Sequence, residues 1–312
     1  MGSYCRPLDH VEKVDDYTVK IVMNQPFSPI GHMLHKVKIM SKKGVEELGN
    51  DFGKVPNKVG TGPYMWDENN YNPLSSWSAV AFEDYYRGKA KIEKITWNVI
   101  ADDTSAITAL QNGELDYMVV PISYWEDIKA SDKFNCVEKE SNEVMLFCIN
   151  VESKTHGDNI RLAMMYALDR DGINKLVCDG YGTPTYMYIN PNYAAAAPAA
   201  DSLKNPIPYN LQKAKELLAQ EGYPDGIDIG EFNVAAGRNE NFGVAVQAQL
   251  EAAGIKSTLV VSDYNVAGDR NVAQEYDICI AYDCGNYDFN NFEQQSSSTA
   301  IGLTNVLFNG PS

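Results

Sequence analysis

Apolar residues alternate with polar ones over Tyr17, Val19, Ile21 and Met23, and Asn24-Gln25-Pro26 closes the run, which predicts a half-buried strand. Gly60-Thr61-Gly62-Pro63-Tyr64 predicts a tight turn into a strand, and Gly44–Asn50 a helical turn. Further strands are predicted at Ser78–Phe82, Ile92–Ile100 and Leu115–Val120, with a continuous apolar one at Val144–Ile149. Asp103 or Thr104 can cap a helix through Ala106, Ile107, Ala109 and Leu110, which Gly113 ends. Strand, helix and strand there read as one βαβ-like unit.

The second half continues in the same style. One helix is predicted from about Asn159 to Cys178, with Ile160, Ala163, Met164, Ala167 and Leu168 on its apolar stripe and Gly180 at its end. Tyr181–Pro208 reads as a long ordered loop. Asn210 caps a helix whose stripe is Leu211, Ala214, Leu217 and Leu218, closed by Gly222. Then come a strand at Ile227–Val234, a helix at Asn239–Ala253 stopped by Gly254, and strands at Ile255–Val261 and Asp277–Tyr282. The pattern predicts an α/β chain of at least two lobes, with a mostly parallel sheet in the last part and a boundary near Asn150–Asp158.

Composition narrows the function. The 312 residues carry 44% hydrophobic and 22% charged side chains, enough apolar material for a sizeable core. Against 42 Asp+Glu stand 26 Lys+Arg, a formal charge of −16 that repels phosphate backbones and disfavours nucleic acid as a partner. No apolar run approaches the roughly 18 residues needed to span a bilayer. No secretory signal opens the chain. The six cysteines form no CxxC; Cys148 and Cys279 lie in apolar runs and read as buried thiols, and a Cys279–Cys284 bridge stays open.

No motif in the chain prescribes catalysis. The Gly60–Tyr64 turn lacks the Gly-Lys-Ser/Thr ending of a phosphate loop. His32 and His35 could share a helix face, yet no third metal ligand is near, and His10 and His156 stand alone. No GxSxG or HExxH occurs, and no cofactor motif. Asp283, Asn286, Asp288 and Asn290 follow the last predicted strand, but a calcium loop would want Gly where Asp288 stands and Glu where Gln294 stands. A polar loop at the end of a parallel strand is also where α/β sheets bind ligands, with Tyr282 as an apolar wall.

Several segments together resemble the family 5 extracellular solute-binding proteins, the receptors of ABC importers for oligopeptides, dipeptides and nickel. They are Val14–Val19 with Gln25-Pro26-Phe27, Val59–Tyr64, Ala109–Asp116, Ile160-Arg161 with Tyr166–Arg170, Tyr209–Pro224, and Gln249–Ile255. The resemblance implies a type II periplasmic-binding-protein-like clamp whose two lobes, of mixed and parallel sheets, close on a ligand. It implies an accessory domain and the start of lobe one at 1–74, part of lobe one at 75–150 and lobe two at 151–312. Lobe one is then incomplete, and the chain a fragment. The implied role is non-enzymatic capture of a small peptide outside the cytoplasm, at a membrane anchor in the full-length protein, for delivery to permease subunits. An oligosaccharide, opine or chelated metal is the alternative ligand, and a hydrolase the alternative class. The implied ligand-binding residues are Tyr282, Asp283, Gly285, Asn286 and Asp288. In the family's loop an aromatic and an acidic residue precede a second acidic residue and a Phe. Tyr282, Asp288 and Phe292 match, while Gly285 stands where the first acid, partner of a peptide's α-amino group, belongs.

Overall fold

The computed structural model describes residues 8–24, 26–27, 30–31, 34, 38–56, 59–72, 74–139, 143–150, 153, 157–185 and 207–284, with Arg238 and residues 282–284 described by backbone alone. Two compact units divide the chain: residues 34–136 form one, and residues 1–33 with 137–312 the other.

In the first of these units Ser41 caps α1 (Lys42–Leu48) by accepting the Gly44 N–H at 3.2 Å. An antiparallel sheet of β3 (Tyr64–Asn72), β4 (Ser76–Ala81) and β5 (Lys94–Asn98) follows, in that order. Ser78, fully buried on the middle strand, is satisfied by Thr96 Oγ1 at 2.9 Å and by Asn70. The next helix, α2 (Asp103–Asn112), is capped by Asp102, one residue before the predicted cap, whose carboxylate accepts Ser105 N–H at 2.7 Å. Gly113 ends it at φ 78°.

The predicted strand Leu115–Val120 does not form. Leu115, Met118 and Val120 pack half-buried against Ile107, Leu110 and Ile128 of α2 and of α3 (Ile122–Lys129). Two helices satisfy the alternation without a ladder, and β5 pairs antiparallel with β4, so no βαβ unit is made.

The other unit opens with the hairpin β1 (Leu8–Lys13) and β2 (Val19–Met23). Its main body is a sheet in the order β6 (Glu143–Ile149), β9 (Ile278–Cys284), β7 (Ile227–Ala235), β8 (Ile255–Ser262). β7 runs parallel to β8 and β9, while β6 is antiparallel to β9, so the sheet is mixed. Between β6 and β7 lie α4 (Asp158–Ala167), α5 (Arg170–Cys178) and α6 (Leu211–Gln220). α7 (Arg238–Ala252) connects β7 to β8, and α8 (Tyr264–Ala273) connects β8 to β9.

The single helix predicted over Asn159–Cys178 is two. Leu168 is extended (ψ 110°), and the Asp169 carboxylate starts α5 by accepting Gly172 N–H at 3.0 Å. A distant side chain holds the break open. The amide of Gln249, on α7, accepts Asp169 N–H at 2.7 Å and donates to Asp169 O at 3.3 Å. The apolar stripe runs on past the break, which hid it from periodicity. The helix α8 was also missing from the pattern, its stripe being short.

α7 and α8 cover opposite faces of the sheet. A Cβ on Gly243 of α7 would stand 2.7 Å from Val234 Cγ1, so absence of a side chain lets α7 lie close on the Phe232–Val234 face. On the other face Asn233, fully buried, donates to Ala267 O at 3.0 Å and to Asn271 Oδ1 at 2.7 Å on α8. The largest core joins Met164, Leu218, Phe232, Leu250, Ile255 and Ile278.

One carboxylate pins the start of β9. Asp277 accepts Ser153 Oγ–H at 2.6 Å and Glu231 N–H at 2.8 Å, while its main chain pairs with Asn150 N–H at 2.9 Å and Glu231 O at 3.0 Å. Gly230, at φ 90°, passes so near that its Cβ would lie 2.1 Å from Asp277 Oδ2. Gly230→Ala is expected to cost roughly 2–4 kcal/mol through left-handed strain and displacement of that carboxylate. Gly268→Ala, on α8 with nothing within 4 Å, should change stability by less than about 1 kcal/mol. Equal urea midpoints for the two variants would contradict this. Gln249→Ala should cost about 1–3 kcal/mol by orphaning the Asp169 N–H, readable in the same urea titration.

Candidate functional site

Because β7, β8 and β9 are parallel, Ala235, Ser262 and Cys284 end at one edge of the sheet, where β6 begins. Open α/β sheets bind ligands outside the carboxyl ends of their strands. β7 leaves this edge through Ala236, whose N–H donates to Ser262 O at 2.8 Å, and Gly237, at φ 84°. Among the described residues no side chain caps α7, so its first N–H groups face outward from this edge. At the end of β8 the Asp263 carboxylate takes up the N–H groups of Asn265 and Val266, at 2.9 and 3.2 Å. The edge thus offers one helix start with donors to spare and one already occupied by an acid.

β9 carries two of the predicted ligand residues to this edge. Tyr282 holds the register position opposite Met145, and Asp283 that opposite Val144. Gly285, Asn286 and Asp288 lie outside the described residues, as do Asn290, Phe292, His32, His35 and His156. His10 sits exposed on β1, and the carboxylates of Glu12 and Asp9, each 2.8 Å away, raise its pKa above the ordinary histidine value. Among the described residues no group of three or more His, Cys, Asp or Glu side chains is placed to hold a metal ion.

Further down the same strand the face opposite the main core is lined by sulfur. Cys148 and Cys279 are both buried thiols, directly opposed in the β6–β9 register, with the buried ring of Tyr276 beside them. Burial pushes the Cys148 thiol well up, and contact with the Cys279 thiol adds to the shift. Burial likewise raises the Tyr276 hydroxyl. The open possibility of a Cys279–Cys284 bridge is thereby closed. Five residues of strand separate their Cα atoms by about 16 Å, against the roughly 7 Å limit of a disulfide.

Sequence reasoning missed Asp277 and Asn233 as organising residues. Each had a signal: an acid at the head of an apolar run, and a lone amide between Phe232 and Val234.

With this geometry in view, comparison with known proteins gives a consistent result. Residues 4–300 match the bacterial extracellular solute-binding proteins, family 5. The glutathione-binding protein GsiB of Salmonella paratyphi A is 32% identical over 273 residues, 83% of this chain and 49% of that protein. The chain therefore spans about half the length of the curated relatives it matches. Among solved structures, the periplasmic binding protein DppA of Helicobacter pylori, in complex with the peptide STSA, has a TM-score of 0.80 at 23% identity. It covers 98% of this chain and 62% of its own. The oligopeptide-binding protein AppA of Bacillus subtilis, in complex with a nonapeptide, has a TM-score of 0.81 at 22% identity, covering 96% of this chain and 63% of its own. These likenesses give the chain the type II periplasmic-binding-protein fold that its sequence predicts. With the match extending over nearly all its residues, the chain belongs to the family 5 bacterial extracellular solute-binding proteins.

Proposed function

We propose that the protein carrying this chain is the solute-binding receptor of an ABC importer, working outside the cytoplasm and capturing a peptide-like ligand without chemical change. The observation that carries this reading is the family match over residues 4–300. The edge formed by the parallel ends of β7, β8 and β9 supports this reading, because open α/β sheets bind ligands at such ends. Relatives of about 30% identity named for glutathione, a peptide, support that ligand class, while solved structures of the same fold hold a peptide, agropinic acid or Ni(L-His). Permease subunits and a membrane anchor in the full-length protein belong to the same proposal. So does the division into 1–74, 75–150 and 151–312, in which β6 is the last element of the middle segment and already pairs into the sheet of the third.

Tyr282, Asp283, Gly285, Asn286 and Asp288 are the proposed ligand contacts. Aromatic surface at Tyr282 would stack on the ligand, and Asp288 would supply a carboxylate. Gly285 brings no carboxylate to the place where the family pairs a peptide's free ammonium. A charge-assisted hydrogen bond of roughly 1.5–3 kcal/mol is then lost, about one to two decades of affinity. Asp283 stands two positions earlier, and only a kinked loop would bring it to the same point.

Two measurements on the natural protein test this. Mass spectrometry of co-purified ligand should find an unmodified peptide, and a peptide library should show no turnover; cleavage would overturn the receptor reading. Calorimetry with one peptide and its N-acetylated twin should give affinities within about tenfold of each other. A preference for the free amine above about a hundredfold, removed by Asp283→Asn, would instead assign the ammonium to Asp283.

A further inference from the structure

Cys148 and Cys279 occupy directly opposed positions on β6 and β9, with exposures of 3% and 0%. Opposed residues of an antiparallel pair have Cα atoms about 4.5 or 5.5 Å apart. Both distances fall inside the roughly 4.4–6.8 Å that a disulfide spans. The two side chains share one face of the sheet, packed with Tyr276, Leu146 and Ala281, and the thiols touch. Of the other described cysteines, Cys136 lies between α3 and β6, Cys178 ends α5, and Cys284 is beyond reach of Cys279 along the strand.

From this juxtaposition we propose that Cys148 and Cys279 form a cross-strand disulfide that ties β6 to β9 when the chain folds in an oxidising compartment. The inference takes the extracytoplasmic location from the function proposed above, but its geometry stands without it.

The chemistry is thiol–disulfide exchange. The thiolate of one cysteine attacks a disulfide of the oxidant, forming a mixed disulfide and expelling one thiol. The second thiolate then attacks the mixed disulfide at the first cysteine's sulfur, closing the Cys148–Cys279 bond and releasing the second thiol. Two protein thiols are oxidised, and one disulfide of the oxidant, a protein or small-molecule disulfide, is reduced to two thiols. Burial keeps both sulfurs from an attacking partner, and the raised pKa of Cys148 leaves little of its thiolate, so exchange in the folded sheet is slow in both directions. The bond is therefore made while β6 and β9 are still coming together, and once made it resists reduction until the sheet opens. It closes a loop around α4 to α8, so its constraint on the unfolded chain is large.

The test uses the natural protein secreted into an oxidising compartment, alkylated under denaturing conditions and digested without reductant. One linked peptide pair containing Cys148 and Cys279 is expected, with an intact mass lower by about 2 Da than after reduction. Reduction in denaturant followed by refolding with reductant should lower the melting temperature by several degrees. A Cys148→Ala/Cys279→Ala protein should show no such reductant dependence. Recovery of both cysteines alkylated from folded secreted protein, or of either linked to another cysteine, overturns the proposal. If that variant fails to fold, peptide mapping of the natural sequence decides alone. Ligand capture, measured separately, bears only on the receptor reading.

Discussion

The sheet of the larger unit depends on one strand that must be satisfied on four sides. β9 lies inside the order β6-β9-β7-β8, so its backbone pairs antiparallel on one edge and parallel on the other. Its first three side chains are buried on both faces, with Ile278 and Ile280 in the main core and Cys279 in the sulfur-lined one. This part of the strand has no solvent-facing side on which an error could be tolerated. The Asp277 carboxylate sets its register at the outset, taking one hydrogen bond from the turn after β6 and one from β7. Both neighbours are thus referenced to the same two oxygens. The carboxyl ends of the three parallel strands then fall at a common edge, and Tyr282 and Asp283 take their register from this joint.

Much of this was legible because the local rules agreed with the tertiary result. Asn210 caps its helix where expected, accepting Lys213 N–H at 2.9 Å, and Gly113, Gly222 and Gly254 end elements at positive φ. Val144–Ile149 is continuous in apolar character because β6 is covered on both faces. Misreadings arose where distant residues decide. The α4–α5 break needs Gln249, eighty positions away, and no window over Asn159–Cys178 contains it. Leu115–Val120 alternates like a strand, but alternation specifies only which side is apolar, and two helices can supply the partner surface.

The candidate site was legible to a lesser degree, for a related reason. Tyr282 and Asp283 could be placed because they continue a strand whose pattern is strong. The ligand chemistry proposed past Cys284 rests on a stretch of sequence with no periodicity, where only likeness to a family speaks. Gly285 marks the limit of that likeness: in the proposed site it is where the sequence departs from the family's pattern. Asn233 is the counterexample within the core. Its buried amide fixes α8 to one face of β7, and a polar residue in an apolar run marks a place where orientation is specified by hydrogen bonds.

The strand order also sets a timetable. Among the described strands of its sheet β6 is synthesised first, yet its neighbour there is β9, which comes after the other three. At about 5–20 residues per second the ribosome takes on the order of ten seconds to bridge that interval. Throughout it the apolar run Glu143–Ile149 lacks its partner among the described strands, and closing so long a loop is a slow kind of contact to make. Until β9 has emerged, that run is a place where non-native pairing can begin, so the order of the strands makes the completion of β9 the step that ends this exposure.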